Sequence, residues 1–294
     1  MKKGIWYAVA AYSAWGLFPI YFKWLHQVSA LQVISHRILW SFLLLSGALS
    51  LSHQWVRFRR AIAQPRVLAF YLAAAVLIGV NWVVFVWAVN AGEIIQISLG
   101  YFVTPLISVV LGVFFFREQL RLWQWLSISL AAAGVLYVAY AYGTFPWIAL
   151  SLACSFGLYG LVKKVAPLGP FHGLTLETGL LVVPAIVYLY YCDRTGQGAF
   201  LHASTAIDVL LASSGLVTVI PLLLFAAAAQ RIPLALLGVL QYIAPTVQFL
   251  LGVSLYREPF TRTQLVGFSM VWAALLLFAV EGIVAQRSRR ASAA

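Results

Sequence analysis

His36, Arg37 and Glu177 are the ionisable side chains that fall deep inside long apolar stretches of this 294-residue chain. A charge in hydrocarbon costs at least about 2.5–3.5 kcal/mol on insertion scales, so residues of this type are retained for a task. A carboxylate held in a low-dielectric site can exchange protons near neutral pH, which suits Glu177 to proton coupling. Its alternative is an ion pair with Lys163 or Lys164 at the membrane edge. Arg37 either faces a cavity, snorkels to the headgroups or makes a structural pair. His36 and Glu177 stand 141 positions apart, and with Arg37 they are expected to bracket a central cavity from opposite sides.

Uncharged groups with binding chemistry form a second set. Asn81, Tyr101, Gln241 and Tyr242 lie in apolar segments, where their donors and acceptors need partners from neighbouring helices or from a ligand. Trp15, Trp82 and Tyr159 offer aromatic faces to a flat or cationic molecule, or serve as packing. Taken together, Trp15, Asn81, Trp82, Tyr101, Tyr159, Gln241 and Tyr242 are the expected lining of a substrate cavity. Pro105 and Pro245 each remove a helical hydrogen bond, so they are expected to bend their helices at matching positions and act as hinges. Cys154 and Cys192 have no metal or redox spacing. The chain contains no phosphate-binding P-loop, HExxH zinc pattern or GxSxG elbow. An enzyme, a nucleotide-driven pump, a metal site and a cofactor are all unsupported.

The elements that must position these groups are membrane helices. Hydrophobic residues make up 63% of the chain and charged residues 9%, with a mean hydropathy of +0.95. Soluble domains run near ~45–50% and ~25%. One helix needs roughly 20 apolar residues to cross a bilayer, and the punctuation predicts ten: 4–22, 31–51, 67–89, 94–116, 122–141, 146–162, 174–191, 209–229, 234–256 and 265–285. Lys2 and Lys3 ahead of the first run resemble a signal peptide, but the run is long and reads as an uncleaved first helix.

The chain also repeats itself. Pro105, Leu111, Gly112, Val113, Arg117, Glu118 and Gln124 recur 140 positions later as Pro245, Leu251, Gly252, Val253, Arg257, Glu258 and Gln264. Nearer the start of each half the offset is 141, pairing Trp15, Gly16, Leu17, Phe18 and Lys23 with Phe156, Gly157, Leu158, Tyr159 and Lys164. Residues 1–141 and 142–294 are thus two repeats of five spans, and an odd number of spans turns the second upside down. Alternate loops carry fourteen basic residues against four, which predicts cytoplasmic termini. The net charge of +12 is dispersed over these short loops, so nucleic acid is not an expected partner. The chain is read as an all-α polytopic membrane protein of ten transmembrane helices in two inverted-topology repeats. Such repeats are the usual architecture of secondary transporters.

Several motifs resemble one family. They are His36 to Ser41; Asn81-Trp82 with Trp87 to Ala91; Leu99 to Phe102 followed by Pro105; Ser155-Phe156 with Tyr159 to Val162; Glu177-Thr178; and Gln241 to Ile243 with Pro245-Thr246. They are similar to the RarD proteins of the EamA group, in the drug/metabolite transporter superfamily, and the similarity runs from the first span to the last. That resemblance implies ten helices, two inverted EamA repeats and a bacterial inner-membrane location, and by family analogy export of a small organic metabolite or drug; the inverted repeats make alternating access the expected mechanism, and Glu177 makes protons the candidate coupling ion. A channel or facilitator and a non-transport membrane sensor are the rival readings. Expected partners are the lipid bilayer and a small-molecule substrate, and the chain works as a monomer or a homodimer.

Overall fold

Apolar runs of this length can satisfy their backbone polar groups only within their own turns, so they fold as helices. The computed structural model describes residues 1–91, 93–143, 145–255 and 262–291, and all regular secondary structure among them is helical. In chain order the elements are α1 (Lys2–Gly16), α2 (Phe18–Trp24), α3 (Ala30–Leu51), α4 (Trp55–Ile62), α5 (Pro65–Asn90), α6 (Ile94–Phe116) and α7 (Leu122–Tyr142). They are followed by α8 (Trp147–Lys164), α9 (Pro170–Arg194), α10 (Thr205–Ala229), α11 (Leu234–Gln241), α12 (Ile243–Ser254) and α13 (Arg262–Ala291).

Among the described residues eight spans are long and apolar enough to cross a membrane, one of them running through α11 and α12. The expected first and sixth spans fall on α1 with α2 and on α8, which are outside those eight. The first is interrupted at Leu17, two residues before Pro19. A proline at 19 cannot donate to the Trp15 carbonyl; Gln248 Nε2 donates to that oxygen instead, at 3.2 Å. The sixth is an 18-residue helix that ends on Lys163 and Lys164.

Pro105 and Pro245 occupy different local structure. The ninth expected span breaks at Tyr242, where Pro245 leaves the Gln241 carbonyl without its helical donor, and splits into α11 and α12. By contrast α6 runs unbroken through Pro105. One element was not expected at all: α4 lies in the segment between the second and third spans, its Phe58 buried beside α5 and its Arg59 and Arg60 exposed. An apolar edge with a basic face suits a helix lying along a membrane surface.

The main packing pairs are α6 with α8 and α1 with α12; α5 with α8 and α10 with α1; α5 with α9 and α10 with α3; and then α3 with α9, α6 with α11, and α7 with α13. Glycines set the closest approaches. A Cβ at Gly215 of α10 would stand 2.5 Å from the Trp40 carbonyl carbon of α3, and one at Gly238 of α11 would stand 2.7 Å from the Pro105 oxygen of α6. The largest apolar core joins α1, α8, α10 and α11 around Ala8, Tyr12, Tyr159, Phe225, Ala229 and Leu234.

Candidate functional site

The beginning of α3 is fastened by Ser29, whose side chain accepts from the Gln32 backbone N–H, and by Gln32. Gln32 Nε2 donates to the Gln197 carbonyl (2.8 Å) and its Oε1 accepts from the Ala199 N–H (3.0 Å), holding the loop before α10 against α3. The next turn carries His36 and Arg37, set about 100° apart around the helix axis, and the two side chains enter different environments. His36 is buried with its ring 5.2 Å from Phe200, and its Nδ1 has no hydrogen-bond partner among the described residues. It lines an open groove of about 310 Å³ with Gln32, Tyr190, Asp193 and His202.

Arg37 turns into the helix bundle. Its Nε donates to Thr218 Oγ1 of α10 at 2.8 Å. The guanidinium carbon lies over Phe22, Phe18 and Trp82 at 5.3, 5.7 and 5.2 Å from the ring centroids. Tyr21 and Tyr101 are its electrostatic neighbours. Tyr21 in turn fastens α2 to α10, donating to the Leu210 carbonyl and meeting Ser213 Oγ at 3.1 Å. Among the described residues no carboxylate lies within 4 Å of Arg37. Tyr101 is 38% exposed and Arg37 is partly exposed. Asn81, on the turn beside Trp82, commits its Nδ2 to Leu152 O (2.9 Å) and Ser155 Oγ (3.0 Å) of α8, and its Oδ1 makes no hydrogen bond among the described residues. Trp15, also partly exposed, sits edge-on to Phe156 with 5.8 Å between centroids.

Glu177 lies in a separate, buried cluster. Its Oε1 meets Lys163 Nζ at 2.7 Å and its Oε2 accepts from the Tyr159 hydroxyl at 2.9 Å, with the lysine and glutamate side chains 1% and 2% exposed. The Lys163 ammonium also faces the rings of Tyr159 and Tyr71 at 5.5 and 5.7 Å. Tyr71 bridges to the loop before α9, exchanging hydrogen bonds with Leu168 O and N at 3.2 and 3.1 Å. Lys164 points elsewhere, to Ile232 O (2.6 Å) and Glu118 Oε1 (3.8 Å). Glu118 caps α11, accepting from the N–H groups of Leu234 (2.6 Å) and Ala235 (2.8 Å). A carboxylate at a helix N-terminus satisfies orphan donors and meets the positive end of the dipole. The repeat partners of Arg117 and Glu118, Arg257 and Glu258, lie outside the described residues.

Of the expected cavity lining, Trp15, Asn81, Trp82 and Tyr101 are partly exposed, and Trp82 and Tyr101 flank Arg37. Tyr159 and Tyr242 are packed into cores: Tyr159 stacks on Phe225 at 5.9 Å, and Tyr242 donates to Phe102 O at 3.1 Å. Gln241 is 8% exposed and makes no hydrogen bond among the described residues. His36 and Glu177 share no contact; the geometry gives Glu177 its ion-pair alternative with Lys163. Thr218, Phe22 and Tyr71 had no signal in the sequence beyond being polar or aromatic residues in apolar runs.

The sequence profile of the EamA-like transporter family matches residues 2–140. The uncharacterized transporter YojE of Bacillus subtilis is 42% identical over 98% of this chain and 97% of its own length. Protein RarD of Escherichia coli is 40% identical over 97% of both chains. The chloramphenicol-sensitive protein RarD of Pseudomonas aeruginosa is 30% identical over 94% of this chain and 93% of its own. A solved crystal structure superposes with a TM-score of 0.70 over 95% of this chain and 97% of that one, at 15% identity, a likeness of fold.

Proposed function

This chain is a bacterial multi-pass membrane transporter of the EamA-like family, together with the RarD proteins, and on that premise we propose that it exports a small organic metabolite or drug by alternating access, coupled to protons. The observation that carries this reading is a contrast in exposure, which we read as a hollow beside a plug. Around Arg37, Tyr101 and Trp82 polar and aromatic surface stays exposed inside the bundle, while the Lys163–Glu177–Tyr159 cluster and the apolar core beside it are closed. A carrier in one of its two states has a site of this form, open on one side of a seal.

The proposed organisation is ten spans in two inverted repeats, residues 1–141 and 142–294, in the inner membrane with both termini cytoplasmic. The helix pairings support it. On the repeat register, α6 with α8 corresponds to α11 and α12 with α1; α5 with α8 corresponds to α10 with α1; and α5 with α9 corresponds to α10 with α3. The fourteen-to-four distribution of basic residues supports an orientation with Lys163, Glu118 and the start of α1 at the cytoplasmic end. The Lys163–Glu177 pair is then an inner latch. A proton delivered to Glu177 cancels its attraction for Lys163 and lets the inner end open, so Glu177 is the proposed coupling group and the breaks at Leu17 and Tyr242 are the points that flex.

Uptake into inside-out vesicles tests the reading, with amino acids, aromatic metabolites and chloramphenicol offered in the presence and absence of an acid-inside gradient. Gradient-driven uptake that Glu177→Gln abolishes is the expected result. Uptake by Glu177→Gln with its full pH dependence removes Glu177 from coupling, and absence of uptake by folded protein counts against export.

A further inference from the structure

We infer that Arg37 is the receptor for an anionic group on the transported molecule, so that the cargo is an organic carboxylate with a flat apolar body. This assignment rests on the transporter reading for the word cargo, whereas the binding chemistry stands on its own geometry.

A guanidinium carries five N–H donors in one plane. In Arg37 the Nε donor is used by Thr218 Oγ1, and no other hydrogen bond is made to the side chain among the described residues. The three rings of Phe18, Phe22 and Trp82 lie within 5.2 to 5.7 Å and interact with the cation through their faces. Rings cannot accept the in-plane Nη hydrogens as an oxygen does. The end of the guanidinium that could grip an acceptor bidentately is left without a protein partner.

Charge balance narrows the class. With no carboxylate within 4 Å among the described residues, Arg37 contributes one uncompensated positive charge to the hollow, beside the hydroxyls of Tyr21 and Tyr101. The Tyr101 hydroxyl makes no hydrogen bond among the described residues, so it supplies a second donor. A cation held partly out of bulk water is costly until an opposite charge joins it. One carboxylate matches one guanidinium in charge and in fork geometry. A phosphate dianion would exceed the charge available, a cationic cargo would be repelled, and a neutral cargo would leave the arginine uncompensated. The flanking phenylalanines and Trp82 give an aromatic or apolar body its contact surface.

The test is a binding comparison on purified full-length protein in detergent micelles, by isothermal titration with 3-phenylpropionate, 3-phenylpropionamide and 2-phenylethylamine at one pH, and with sodium chloride and inorganic phosphate as competitors. The wild-type protein should bind the carboxylate about 10- to 100-fold more tightly than the amide, the range expected for hydrogen bonds to a charged group. Arg37→Gln should erase that preference, and Arg37→Lys, which keeps the charge without the fork, should retain part of it. Should Arg37→Gln fail to fold, Tyr101→Phe offers a milder perturbation that weakens the carboxylate selectively. The assignment is overturned by equal binding of amide and carboxylate, by preference for the amine, by displacement by chloride or phosphate at the same concentration as the carboxylate itself, or by no binding of any probe up to millimolar levels. Carboxylate binding without gradient-driven uptake would leave the Arg37 assignment standing and strike at the transport reading. Uptake of a neutral or cationic compound that ignores Arg37→Gln would do the reverse.

Discussion

Replacing Lys163 with methionine isolates the energetics of the Lys163–Glu177 pair, the proposed inner latch. In the native protein the Glu177 carboxylate has an ammonium at 2.7 Å, a tyrosine hydroxyl at 2.9 Å and a side chain 2% exposed. Lys163→Met keeps the length and apolar stem of the side chain but leaves a buried carboxylate on one neutral donor. Breaking a buried pair in this way costs about 3–5 kcal/mol. Hydrogen bonds between membrane helices average about 0.6 kcal/mol, so an effect of that size points to the charge. Lys163→Met with Glu177→Leu removes both charges and should recover much of the loss, leaving about 1–3 kcal/mol for the Tyr159 hydroxyl that has lost its acceptor. Adding Tyr159→Phe should bring stability close to wild type. Reversible unfolding of the purified protein in mixed micelles, followed by helical circular dichroism, measures all three. A cost below about 1 kcal/mol for Lys163→Met is the scale of a solvated pair, and that result would refute the dry latch.

Two further substitutions probe the frame that holds the site. Glu118→Ala removes the acceptor of the Leu234 and Ala235 N–H groups, and the same unfolding measurement should show a loss of about 1–2 kcal/mol, typical of a helix cap; an unchanged protein would contradict the cap. Gly215→Ala places a methyl 2.5 Å from the Trp40 carbonyl carbon, forcing α10 off α3, and should cost about 1–3 kcal/mol. Because α3 and α10 carry Arg37 and Thr218, it should also weaken 3-phenylpropionate binding, whereas Gly47→Ala, inside α3 with open space at its Cβ, should cost no stability and leave binding unchanged.

The helical frame was legible in the sequence because membrane solvation leaves the backbone few choices: apolar runs read directly as helices, and Pro19 and Pro245 lie within three residues of the two breaks. The unbroken course of α6 past Pro105 was not legible, since whether a proline opens a helix depends on which neighbours meet the freed carbonyl. Helix α4 was hidden by its basic residues, which read as loop charge until an apolar edge has something to pack on. At the site, the residue types could be read and their directions could not. His36 and Arg37 are adjacent in sequence, and only the helix rotation sends one to the Phe200 groove and the other to Thr218 and Trp82. Lys163 and Lys164 are likewise neighbours that part, one into the core with Glu177 and one to Glu118. Thr218 stands 181 residues from Arg37, and nothing local marks it.

Counterflow is the most direct measurement of alternating access. Proteoliposomes loaded with an unlabelled substrate identified by the vesicle screen are diluted into trace labelled substrate, with membrane potential and pH gradient clamped to zero. A carrier with a hollow on one side of a seal exchanges substrate one for one, so label should accumulate transiently above its external concentration and then decay. Glu177→Gln should be compared in the same assay, since exchange at zero gradient separates binding and reorientation from proton coupling. A monotonic rise to equilibrium with no overshoot, at any preload, is the behaviour of a channel and would contradict the account.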